Sequence, residues 1–120
     1  MRAQIERRWR EEKYAVLFYS QRHYNDICTY LKNPQATMTT LNEQINEAKQ
    51  QTLTIGGIQN ACSHMWGYFK KYATTQEKQT YQQLLATLTL DGYEMRVFLR
   101  ALANKYDVRY LQQSTILQLN

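Results

Sequence analysis

Apolar positions recur at helical spacing from one end of the chain to the other, and turn-forming polar residues divide the pattern into segments. Residues 2–19 carry Ile5, Trp9, Val16 and Leu17 or Phe18 on one side, with Arg2, Glu6, Arg7, Arg10, Glu11 and Lys13 opposite. Glu6 with Arg10, and Arg7 with Glu11, read as a solvated face whose pairs each contribute about 0.2–0.5 kcal/mol. Ser20 suits an N-cap, which predicts a second helix over residues 21–32 burying Tyr24, Ile27, Cys28 and Leu31. An unbroken helix through Ser20 is the alternative. Asn33-Pro34 ends that helix, because proline disfavours helical geometry in the residue before it, and residues 35–39 read as a loop. Thr40-Leu-Asn-Glu43 has the capping-box pattern. It predicts a third helix to about Gln51, with Leu41, Ile45 and Ala48 inward and a polar remainder that suits the periphery.

Thr54 and Gly56-Gly57 mark the entry to a central helix running to about Tyr72, with Ile58, Ala61/Cys62, Met65, Phe69 and Tyr72 as its buried stripe. Beside it runs a second stripe of Gly57, Asn60, His64, Gly67/Tyr68 and Lys71. Glycine inside a helix costs about 1 kcal/mol against alanine, so this stripe calls for a compensation, either close approach of another backbone or a ligand. Thr74-Thr-Gln-Glu77 is another capping box, opening a helix with Tyr81, Leu84, Leu85 and Leu88 facing in. Asp91-Gly-Tyr-Glu94 repeats the pattern and predicts Val97, Phe98, Ala101 and Leu102 on the core side of a helix ending near Lys105. Asp107 is expected to cap a last short helix holding Tyr110 and Leu111, with Leu117 as a further candidate member. No repeat, low-complexity tract or linker interrupts the chain. The expectation is an all-α single domain over residues 1–120, a compact bundle of about six to seven helices with mostly antiparallel neighbours.

Composition narrows the function classes. With 43% hydrophobic and 21% charged residues the chain has what a folded core needs, and one proline with four glycines leaves too little punctuation for a strand-rich fold. The longest apolar run, Ala15 to Tyr19, falls far short of the ~20 residues that span a bilayer, and the N-terminus is charged without a signal-like apolar stretch. A cytoplasmic protein with no membrane partner is expected. Cys28 and Cys62 do not form a C-x-x-C pair and read as buried free thiols. An iron–sulfur cluster takes about four thiolates, so no cluster and no other cofactor is expected in this chain. The net charge of +5 is compatible with RNA, an acidic protein or mere solubility.

The two histidines, His23 and His64, lack H-x-x-x-H or H-E-x-x-H spacing, so no metal site is expected. His64, with Asn60 and Tyr68 one turn to either side, reads either as a hydrogen-bonded residue at a packing seam or as a functional group. Glu11-Glu12 and Glu43/Glu47 look solvated, while Glu77, Asp91 and Glu94 cap helices. No nucleophile elbow or phosphate-cradling loop occurs, which leaves an independent enzyme poorly supported. A small enzyme would need His64 as general acid or base near Tyr68. Tyrosine is different. Several of the ten stand beside bases, at Lys13-Tyr14, Arg22-His23-Tyr24, Lys70-Lys71-Tyr72, Lys105-Tyr106 and Arg109-Tyr110. Such pairs can stack nucleobases while neutralising phosphates. The competing reading is a rim of tyrosines, ring inside and hydroxyl wet. The candidate binding residues are Lys13, Tyr14, Arg22, His23, Asn60, His64, Tyr68, Lys70 and Lys71.

Several segments together resemble the YbgA-like domain, a bacterial domain of unknown function. They are Lys13-Tyr14, Ser20-Gln-Arg-His-Tyr24, Asn60-Ala-Cys-Ser-His64 with Gly67-Tyr68-Phe69-Lys70, Glu77-Lys78, and Tyr110-Leu111 followed by Gln113. The match covers roughly residues 9–117 and carries over to Lys13, Tyr14, Ser20, Tyr24, Asn60, His64, Gly67, Tyr68, Phe69, Lys70 and Gln113. The resemblance implies a helical domain found alone or fused behind a cysteine-containing desulfidase domain. In fused members it implies desulfuration of thiolated uridine in RNA, with the cysteines of the other domain doing the chemistry. The sequence departs from the family pattern in having no proline across residues 81–103 and no Pro-aromatic-Pro stretch after Gln113. The functional expectation is a non-catalytic module recognising tRNA or thiolated RNA as accessory to a desulfidase protein. The alternative is a protein-interaction or homo-oligomer module in which His64, Gly67 and Tyr68 pack against a partner helix.

Overall fold

A helix that is apolar on every side ends up inside, and the stretch from Tyr14 to Phe18 meets that condition. In the computed structural model, which describes residues 2–119, all five of these residues are buried. They form the inner half of α1 (Arg2–Tyr19), which is followed by α2 (Gln21–Tyr30), α3 (Met38–Lys49), α4 (Ile55–Trp66), α5 (Thr75–Ala86), α6 (Tyr93–Lys105) and α7 (Arg109–Gln112). A 3₁₀ turn at Thr115–Leu117 closes the series, and no strand occurs among the described residues. The fold is all-α. None of these helices is long and apolar enough to cross a membrane.

Helix α1 stands between two apolar clusters and packs against α2, α3, α4 and the 3₁₀ turn. Ile5 and Val16 look toward Ile27, Leu41, Ile45 and Ala48 of α2 and α3. Tyr14, Ala15, Leu17 and Phe18 look toward Ile58, Cys62, Met65, Met95, Leu99 and Leu111. The inward positions expected of α3 are therefore right, and its polar outer face is solvated. The side chain of Glu12, expected in solvent, is instead only 4% exposed. Arg8 Nη1 donates to it at 2.8 Å, Lys49 Nζ lies at 2.7 Å and Thr115 Oγ1 donates at 2.9 Å. One side chain thus ties α1 to α3 and to the end of the chain.

The chain does break at Ser20, whose Oγ accepts from the His23 backbone N–H at 3.1 Å. Of the four residues expected to be buried in α2, Ile27 is; Tyr24, Cys28 and Leu31 are half-buried. Thr54 caps α4, and Thr74 with Glu77 forms a complete capping box on α5. Tyr81 is buried there, with Leu84, Leu85 and Leu88 half-buried. Three other starts differ from expectation. Helix α3 begins at Met38, because Thr37 Oγ1 already accepts from the Thr40 N–H, so Thr40 lies inside the helix. Gly92, in the left-handed region at φ 55°, holds the N-cap position of α6, while Asp91 Oδ1 accepts from the Tyr93 N–H. Asp107 has φ 52° and sits before the cap of α7, which is Val108.

Two registers differ as well. Helix α4 stops at Trp66, and beyond Gly67 the hydrogen bonds contract to i→i+3, Tyr68 N–H to Met65 and Phe69 N–H to Trp66. A tighter turn advances faster around the axis, so Phe69 still reaches the core while Tyr72 leaves it and is 65% exposed. Helix α6 buries Met95, Leu99, Leu102 and Ala103. Of the residues expected there, Leu102 is correct, Phe98 is half-buried, and Val97 and Ala101 face out. The helix carries two overlapping apolar stripes, and the packing against α4 and α7 uses the one containing Leu99.

Candidate functional site

The inner half of α1 fixes the position of Tyr14, and three further tyrosines gather on its outer side. Tyr14 Oη and Tyr68 Oη share a hydrogen bond at 3.0 Å. Tyr68 follows the end of α4, and its ring stacks on Tyr110 of α7 with centroids 5.9 Å apart. Tyr14 meets both edge-on, at 6.2 Å to Tyr68 and 6.1 Å to Tyr110. Lys13 lies between rings, its Nζ 5.8 Å from the centroid of Tyr14 and 5.9 Å from that of Tyr24 on α2. A cation at such distances is attracted by the ring quadrupole. Neither Lys13 nor Arg10, one turn earlier, forms an ion pair among the described residues.

Asn60 and His64 precede Tyr68 by two turns and one. Asn60 Nδ2 donates to Gln21 Oε1 at 2.7 Å, joining α4 to the start of α2, and Gln21 Nε2 donates onward to Asn25 at 3.0 Å. His64 is exposed, while Asn60 and Tyr68 spend their side-chain hydrogen bonds elsewhere, so the expected seam around His64 does not form. The two glycines of this stripe serve different ends. A Cβ on Gly57 would stand 3.2 Å from the backbone O of Phe18, so this glycine admits the close approach of α1. At Gly67 a Cβ would meet only the carbonyls of His64 and Ser63 in its own helix, and no other element leans on it.

Lys13, Tyr14, Asn60, His64 and Tyr68 therefore share one face. The remaining candidates are placed elsewhere. His23 is buried on the α3 side, Nδ1 2.7 Å from Ser20 Oγ and Nε2 3.4 Å from Glu47 Oε1. Arg22 is exposed and reaches Asp26 at 4.0 Å. Lys70 lines an open groove with Trp66, Lys78 and Gln82 on the α5 side, and Lys71 is exposed in the turn after α4. Sequence reasoning left Arg10, Gln21, Tyr24 and Tyr110 out of the candidate set. Tyr110 beside Arg109 and Tyr24 beside His23 had carried a signal, but only the tertiary fold could join them to Tyr14.

The phenols of this face are shifted upward. Burial, then the hydrogen bond and charge of Tyr68, pushes the Tyr14 phenol well above its usual range. Burial raises Tyr110 too, followed by Tyr68. It also raises Tyr24, against the opposing effect of Lys13. Such phenols stay protonated, donate hydrogen bonds and present ring faces. Burial likewise pushes the Cys62 thiol up to about 12, with Arg96 opposing, which makes it inert packing. Cys28 is half-buried, and both thiols are free. No group of three or more His, Cys, Asp or Glu side chains among the described residues converges as metal ligands would.

A family model described as Protein of unknown function (DUF1722) matches residues 13–119. No curated protein and no solved structure matches the chain.

Proposed function

We infer function for a chain that belongs to the DUF1722 family, a family of unknown function, in keeping with its YbgA-like resemblance. The reading we propose is a non-catalytic helical module that binds RNA, tRNA first among candidates, as accessory to a desulfidase protein. The observation that carries it is a pair of cations without carboxylate partners among the described residues, Lys13 against the rings of Tyr14 and Tyr24 and Arg10 beside Tyr110. Rings of this kind stack on bases without sequence preference, and the cations neutralise phosphates. Exposed His64 and Lys71 would extend the contact, and Lys70 with Lys78 offers a second set of phosphate contacts. Titration of labelled tRNA at two salt concentrations tests this. Saturable binding should weaken steeply with salt, and Lys13→Ala should lower it and flatten the salt slope by about 1. No saturable binding at low salt, or a Lys13→Ala curve superimposed on the parent, removes the reading.

A second reading, a homo-oligomer module, is favoured by a different surface. Tyr93 and Val97, 53% and 41% exposed, stand one turn apart on the outer stripe of α6, and Leu90, 58% exposed, lies in the turn before that helix. Light scattering separates the two. A dimer that Val97→Asp dissociates supports it, and a monomer at high concentration removes it.

A further inference from the structure

We propose that the groove between α1, α2 and α7 is a slot for one extruded nucleobase of single-stranded RNA, an assignment that rests on the RNA reading above. The groove is open, has a volume of about 320 Å³, and is lined by Glu6, Trp9, Arg10, Cys28, Leu31 and Tyr110 together with Arg2. That size lies at the low end of the about 300–1,000 Å³ typical of small-molecule clefts. It suits one ring system and part of its sugar, and not an extended ligand.

Both aromatic walls are held by rings behind them. Trp9 leans on Tyr24 with centroids 5.7 Å apart, and Tyr110 leans on Tyr68 at 5.9 Å and on Tyr14 at 6.1 Å. Walls already ordered lose little side-chain freedom when a ring enters. Half-buried Cys28 and Leu31 supply an apolar floor. The acidic member decides between ligand classes. A bare phosphate would meet the carboxylate of Glu6, which Arg2 engages at 3.1 Å. A base with ring or amino N–H groups would donate to it, as cytosine and guanine edges do to carboxylates. Arg10, without an ion-pair partner among the described residues, and Lys13 beyond it then face the flanking phosphates. Bases inside an A-form duplex cannot enter such a slot, whereas unstacked loop bases can.

Trp9 is one of two tryptophans, and the other, Trp66, is buried against Tyr81 at 4.3 Å. In a Trp66→Phe background the emission therefore reports on the slot. A single-stranded pentaribonucleotide and guanosine monophosphate should both quench Trp9 saturably, inorganic phosphate should not, and a blunt RNA duplex should quench far less. Tyr110→Leu, which keeps apolar bulk without a ring, should weaken the pentanucleotide at least fivefold. Should Trp66→Phe fail to fold, polarisation of the labelled pentanucleotide with Tyr110→Leu and Trp9→Leu reads the same fivefold loss in the parent chain. Absence of quenching by both nucleotide probes, or unchanged affinity in Tyr110→Leu, overturns the slot even where tRNA binds. Quenching by the mononucleotide with no retention of tRNA keeps the slot and removes the RNA reading.

Discussion

Glu12 offers the sharpest test of how the bundle is held. Its side chain is 4% exposed, and the carboxylate accepts from Arg8, Lys49 and Thr115 at 2.7–2.9 Å. Replacement by glutamine keeps the shape but turns an amide toward two cations. Hydrogen bonds to a charged group contribute about 1.5–3 kcal/mol each. The full sum is not lost, because Arg8 and Lys49 are 35% and 36% exposed and water can take up their charge. A net loss of about 2 kcal/mol follows, which for a chain of 120 residues lowers Tm by about 8 °C. The pH dependence is the more discriminating observable. Burial pushes the Glu12 carboxyl up, but Lys49, Thr115 and the Arg8 charge outweigh it and hold the group below its ordinary value. An unfolded glutamate titrates at about 4.3. The stabilisation is therefore complete above that pH and is lost as pH falls through the lower, folded value. Urea unfolding of parent and Glu12→Gln at pH 7 and pH 3 should show a gap of about 2 kcal/mol that shrinks in acid. A gap of equal size at both pH values, or none at pH 7, would show that the ionised Glu12 carboxylate does not hold α1 to α3.

Gly56 and Gly57 are adjacent but should respond oppositely. Nothing lies within 4 Å of a Cβ on Gly56, so Gly56→Ala should raise stability by about 0.4–1 kcal/mol in urea melts. Gly57→Ala, pressed at 3.2 Å against the Phe18 backbone, should lie at least about 1 kcal/mol below it. Thr74→Ala removes the hydroxyl that accepts from the Glu77 N–H at 3.1 Å and should cost about 1 kcal/mol by thermal melting. Tyr14, whose folded phenol titrates above its usual range, keeps its proton when an unfolded tyrosine near about 10 has lost it. Stability should therefore fall as pH rises past that value, and Tyr14→Phe should flatten the decline between pH 9 and 11 in equilibrium unfolding.

What the sequence made legible was whatever a few neighbouring residues decide among themselves. Ser20, Thr54 and Thr74 could be read as caps because the accepting hydroxyl and donating N–H lie three residues apart. Leu41, Ile45 and Ala48 could be read as core because α3 offers only one apolar stripe. Helix α6 offers two, and its rotation was settled by what α4 and α7 present to it, so Val97 and Ala101 turned outward. Glu12 looked solvated because it stands next to Glu11 in a charged stretch, with no apolar residue beside it to announce burial. Thr115 is 103 residues distant, and no local charge pattern announces it.

The same distinction separates the parts of the candidate site and connects it to Glu12. Lys13, Tyr14, Asn60, His64 and Tyr68 were visible as residue types at helical spacing, but their meeting depends on how α1 is turned. Glu12 lies next to Lys13 in the chain, and its bonds to Lys49 and Thr115 fix that turn from two directions. With α1 so held, Tyr14 reaches the hydroxyl of Tyr68, and Lys13 comes to lie between the rings of Tyr14 and Tyr24. The anchor is buried on the core side, and the rings it aims lie on the outer side. Tyr110 stacks on Tyr68, and among the described residues neither Arg10 nor Lys13 pairs with a carboxylate. The proposed RNA reading rests on that combination of ordered rings and cations at the edge of the core.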